Sequence, residues 1–133
     1  MKIFVTHTFK GIENKAEIEN LCRIVRESGA VDFSFVRDVE HYQKIFNNPH
    51  NMMSEAKEAI SSCNALLFDL TDPSVGKAIE AGIAYQLNKK IIVISKIGSE
   101  KRNTVLGIAD VFIEYDQIED IKTPLTQFII NSK

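Results

Sequence analysis

Residues 65–95 read ALLFDLTDPSVGKAIEAGIAYQLNKKIIVIS. Ala65–Leu70 (ALLFDL) and Lys90–Ser95 are short apolar runs bounded by polar residues, the pattern of strands buried on both faces. Between them TDPS makes a turn, and Val75–Leu87 carries a helical period with many small residues. A strand, a helix and a second strand in this order form a βαβ unit, in which a right-handed crossover sets the two strands parallel.

The same alternation continues outward. Lys2–Thr6 (KIFVT), Val31–Val36 and Val111–Tyr115 read as further strands. Ile18, Leu21, Cys22 and Val25 form an i, i+3, i+4, i+7 stripe, and Gly29 can end that helix. Asn48-Pro49 has the form of a cap followed by proline at the first helical position, opening a helix with Met52, Ala56, Ala59, Ile60 and Cys63 on one face. Arg37–Asn47 is polar and aromatic without a clear period. Thr123-Pro124 opens a last short helix bearing Leu125, Phe128 and Ile129. The expectation is an α/β fold in three α/β/α layers, with a five-stranded parallel sheet in the flavodoxin-like order 2-1-3-4-5.

The chain has 133 residues, 44% hydrophobic and 26% charged, which suits one domain over 1–133 with a core that needs neither disulfide nor structural metal. A net charge of −2 gives no general reason to bind nucleic-acid polymers. Cys22 and Cys63 fall on apolar faces and read as buried reduced thiols. MKIFVTHTFKG is too short and polar for a signal peptide's apolar region, and IIVI at Ile91–Ile94 is far short of a membrane span. A cytoplasmic protein is expected.

In a parallel sheet, ligands bind beyond the carboxyl ends of the strands at the switch point. That selects the loops Thr6–Gly11 and Asp69–Gly76. Glu80 lies on a helical face with Gly76, Ile83, Ala84 and Leu87, with Lys77 at its edge. A carboxylate there loses hydration unless it borders a cleft or finds a partner. Its pKa should rise if it faces an apolar pocket; a pairing with Lys77 is the alternative. Ser74 can cap the helix, and Gly76 lets a ligand approach amides that favour phosphate. Asp69 and Asp72 suit ribose hydroxyls or serve as turn formers; a Mg²⁺ site on them is the weaker idea. His7, Thr8 and Lys10 lie at the same sheet end. His41, Tyr42, Phe46 and His50 fall in a long connection that can cover a base, or whose aromatics simply pack down on the core.

The segments KIFVTHTFKG and LLFDLTDPSVGKAIEAGIAYQLNKKIIVI together resemble the nucleoside 2-deoxyribosyltransferase family over most of the chain. Ser74, six positions before Glu80, is similar to the branch that hydrolyses 2′-deoxynucleoside 5′-monophosphates. The resemblance implies that Glu80 attacks the anomeric carbon, displaces the base and passes the sugar to water or a second base. Asp69 joins it as a catalytic carboxylate. Thr6, His7, Thr8, Gly11, Asp72, Ser74 and Gly76 would bind substrate. Asn103 would reach an adjoining subunit's site, making a homodimer or larger oligomer part of the active unit. No cofactor or metal is implied.

The departures are specific. Ala56 stands where the family places an aspartate that assists departure of the base, and Glu55 is the nearest replacement. Phe4 stands where tyrosine is frequent, and His7 where glycine is. Two other readings follow: a nucleotide-binding module of the same fold with weakened catalysis, and a protein–protein module on this scaffold.

Overall fold

The computed structural model describes residues 1–99 and 103–133, and for Asn103 the backbone only. Five strands, β1 (Lys2–Val5), β2 (Val31–Phe33), β3 (Ala65–Asp69), β4 (Lys90–Lys96) and β5 (Val111–Tyr115), form one parallel sheet in the order β2-β1-β3-β4-β5. Helices α1 (Lys15–Glu27), α3 (Pro49–Ser61), α4 (Val75–Gln86) and α6 (Lys122–Asn131) cover it. Two four-residue helices, α2 (Phe35–Asp38) and α5 (Asn103–Leu106), lie in connections. Fold class and strand order match the expectation. Among the described residues no helix is long and apolar enough to cross a membrane.

Strand alternation sorts the core into two layers. Ile3, Val5, Leu67, Ile92, Ile94 and Ile113 pack against α1 and α6. Phe4, Leu66, Phe68, Ile91 and Val93 pack against α3 and α4. Both faces are buried, so the inner strands need apolar residues at every position. Cys22 belongs to the first layer and Cys63 to the second, both as free thiols.

The helix boundaries follow local chemistry. The Asn48 side chain accepts from the His50 amide at 2.8 Å with Pro49 first in α3, and Gly29 closes α1 at φ +102°. The last helix begins at Lys122, one residue before Thr123, as a continuation of a 3-10 turn over Ile118–Ile121. β1 and β3 each stop one residue short of their patterns, at Val5 and Asp69, and β2 stops well short of Val36. β2 ends at Phe33 because the Ser34 hydroxyl accepts from the Arg37 amide at 3.3 Å while Asp38 accepts from the Ser34 amide at 2.9 Å. This reciprocal cap turns the chain into α2. Arg37 then braces α2 against the sheet edge by pairing with Asp32 at 2.7 Å.

Candidate active site

The β1 ladder extends one residue past its strand, with the Thr6 amide donating to the Leu67 carbonyl at 3.1 Å. Period two then puts the Thr6 side chain on the face of Phe4, beneath α4. There the Thr6 hydroxyl donates to Glu80 Oε1 at 2.8 Å. Helix α4 is set by Ser74, whose hydroxyl accepts from the Lys77 amide at 3.3 Å. Six residues on, Glu80 projects from the margin of the buried face formed by Lys77, Ala81 and Ala84.

Glu80 borders a cavity of about 270 Å³. Phe4, Phe35, Met52, Met53 and Ala56 line it with apolar groups, and His7, Thr8, Ser74, Gly76, Lys77 and Glu40 line it with polar ones. Burial is the largest influence on Glu80 and pushes its pKa up to about 7. The Thr6 hydrogen bond opposes that shift, the Glu40 charge adds to it, and Lys77 opposes it weakly. The ammonium of Lys77 is committed elsewhere, donating to the carbonyls of Asp69 at 2.8 Å and Asp72 at 2.6 Å. Lys77 thus ties down the turn before α4 and makes no ion pair with Glu80.

At the mouth, Thr8 donates to the Ser74 hydroxyl at 2.8 Å. This hydroxyl pair sits at the N-terminus of the 12-residue α4, where free amides favour an anion. A Cβ added at Gly76 would meet no neighbouring atom within 4 Å, so the first turn faces open space. His7 borders the cavity as a neutral ring. Burial, with Lys77 and Arg37 nearby, brings its pKa down to about 3.

The other sequence-selected residues lie apart from Glu80. Asp69 shares the face of Leu67, opposite to Thr6 and Glu80, since they differ by one in strand parity. Its two oxygens accept from Tyr115 at 2.7 Å and from the Thr71 amide at 2.9 Å. It lines a second cavity, of about 260 Å³, between the sheet and α1. Asp72 lines this one too, and pairs with Lys10 at 2.8 Å in an exposed bridge. Among the described residues no group of three or more histidine, cysteine, aspartate or glutamate side chains is placed to hold a metal ion. Gly11 is exposed with φ +76° and turns the loop without lining either cavity. Glu55 is exposed on the outer side of α3, whereas its neighbour Ala56 faces the cavity. Asn103 opens α5, and its side chain lies outside the described residues.

The residue that sequence reading missed is Glu40. It follows α2 in the aperiodic segment and shares the cavity of Glu80. Only the three-dimensional path of that loop brings it there.

No family model matches the chain, and no curated protein matches it. Solved structures do match in fold. The CMP N-glycosidase of Clostridium botulinum is 19% identical, with 94% of this chain and 98% of that chain covered at a TM-score of 0.66. A 2-deoxyribosyltransferase of Bacillus psychrosaccharolyticus is 18% identical, with 92% and 90% covered at 0.74. A conserved protein of Enterococcus faecalis is 13% identical, with 96% and 98% covered at 0.77.

Proposed function

We propose that the chain cleaves or transfers at the N-glycosidic bond of a nucleoside 5′-monophosphate, with Glu80 as nucleophile. The observation that carries this reading is the Glu80 carboxylate, desolvated in an apolar cavity and held by Thr6. The Thr8–Ser74 hydroxyl pair and the amides of α4 receive the 5′-phosphate, while Phe4, Phe35, Met52 and Met53 surround the base and sugar. The fold shared with an N-glycosidase and a deoxyribosyltransferase supports the same chemistry.

The Glu80 carboxylate attacks the anomeric carbon as the carbon–nitrogen bond breaks and its electron pair leaves with the base. The transition state is oxocarbenium-like, so a nearby negative charge lowers its energy more than that of the neutral sugar. A glycosyl ester forms on Glu80. Water or a second base then attacks the same carbon, and the ester's electron pair returns to the carboxylate. A panel of ribo- and deoxyribonucleosides and their 5′-monophosphates, scored by chromatography for free base, tests the reading. Base release by wild type and not by Glu80→Gln is expected; equal release by both would refute it.

Ala56 in the cavity wall favours a second reading, a module that binds a nucleotide without turning it over. Thermal stabilisation by a monophosphate with no product formed would select it. We also infer a homo-oligomer as the active unit. On α4, Val75 is 78% exposed and Ile79 49%, an apolar outer face beside the site. Light scattering that finds only monomers would remove this inference. A cytosolic location suits two unpaired thiols; secretion of the full-length chain would contradict it.

A further inference from the structure

The wall of the Glu80 cavity holds a second carboxylate, and its placement is unusually determined. Glu40 is the first residue after the cap of α2, and its amide donates to the Phe35 carbonyl at 3.0 Å. The next two residues, His41 and Tyr42, both adopt left-handed backbone, at φ 51° and 59°. Neither is glycine, so the conformation is strained and must be held by its surroundings. Tyr42 supplies the hold: its amide donates to the Val36 carbonyl at 2.9 Å, and its ring packs on Phe9 at 5.9 Å beneath the Lys15 ammonium. Its hydroxyl bonds to Glu19 of α1. The loop is thus clamped at both ends around Glu40.

Among the described residues nothing donates to the Glu40 carboxylate or pairs with it. Burial alone acts on it and raises its pKa, whereas Glu80 has Thr6 as donor and Lys77 nearby. Two carboxyl groups in one cavity with unequal partners divide the roles of acid and base. A cation growing on the sugar beside Glu80 draws negative charge to Glu80 and leaves the pair's proton on Glu40.

We propose that Glu40 is the proton donor to the departing base, supplied from the loop after α2 instead of from α3, where Ala56 offers no acid. The proposal rests on the Glu80 reading. In the first step the Glu40 carboxylic acid gives its proton to a base nitrogen or oxygen as the glycosidic electron pair moves onto the base. In the second step the Glu40 carboxylate takes a proton from the attacking water, and Glu80 is released. Both carboxyl groups end in their starting protonation states, and one water is consumed: its hydroxyl stays on the anomeric carbon and its proton restores the one that Glu40 gave to the base.

The test compares two substrates in wild type, Glu40→Gln and Glu80→Gln. One is the monophosphate whose base needs a proton to leave; the other carries a base that leaves without one, N7-methylated for a purine or electron-poor for a pyrimidine. Glu40→Gln should lower kcat/KM by about 10²–10⁴-fold on the first and by less than about tenfold on the second. Glu80→Gln should lose both. An equal loss on both substrates, or none on either, overturns the role of Glu40 while leaving Glu80 intact. No base release from either substrate by wild type overturns both. His7, Lys77 and Glu80 are the other titratable groups bordering the cavity, so the alkaline fall of kcat/KM should also disappear in Glu40→Gln. Thermal denaturation of the variant checks that the loop still folds.

Discussion

Two cavities of nearly equal size, about 270 and about 260 Å³, open at the same end of the sheet on its opposite faces. Both hold carboxylates, and they treat them differently. Against α1, Asp69 is satisfied by Tyr115 and the Thr71 amide, and Asp72 by Lys10. Against α3 and α4, Glu80 has one hydroxyl donor and Glu40 none among the described residues. Volume does not separate the two, and neither does a missing partner alone, since Glu17 of the second cavity is exposed to water; a carboxylate short of partners and withdrawn from solvent does. A carboxylate with its hydrogen bonds complete is structure, whereas one kept short of partners in an apolar wall stores reactivity.

That contrast breaks first at Glu80. Glu80→Gln should reduce base release by roughly 10³-fold or more. Ser74→Ala should raise KM for the monophosphate by about tenfold to a hundredfold, through loss of one hydrogen bond to a charged group. It should leave the free nucleoside nearly unaffected, and cost about 1 kcal/mol of stability as a lost cap. Asp69→Ala, on the other face, should cost about 1–3 kcal/mol in thermal or denaturant unfolding by stranding the Tyr115 hydroxyl and Thr71 amide. Its base release should stay within about tenfold of wild type; a loss matching Glu80→Gln would erase the distinction between the faces. Glu55→Gln, exposed and outside both cavities, should change neither activity nor melting temperature.

The architecture was legible because the inner strands are apolar at every position and because Ser74 and Asn48 stand where helix caps belong. Glu80 was legible for a related reason: its helical face is otherwise apolar or small. Asp69 was harder. Its side depends on the pairing of Val5 with Leu67, and register is a tertiary fact that a strand-end aspartate does not reveal. The end of β2 turned on Ser34, whose capping bond requires Arg37 and Asp38 already in helical positions. Glu40 was invisible, since two left-handed non-glycine residues carry no recognisable turn signal.

The raised pKa of Glu80 also sets a pH dependence. A carboxyl that keeps its proton in the folded state up to about 7, and in the unfolded state only to the ordinary 4.5, favours folding most below 4.5. That contribution declines as pH rises through 7, by on the order of 2–3 kcal/mol, and Glu80→Gln should flatten the decline. Base release should fall as well above about 7, because an ionised Glu80 serves the reaction only while the pair's remaining proton is held on Glu40. The most direct measurement is the titration of the Glu80 side-chain carbon by NMR. The account predicts a midpoint near 7 that moves down in Glu40→Gln, as the neighbouring charge is removed. A midpoint at or below the ordinary carboxylate value, unmoved by Glu40→Gln, would mean a hydrated or fully paired Glu80 and would contradict it.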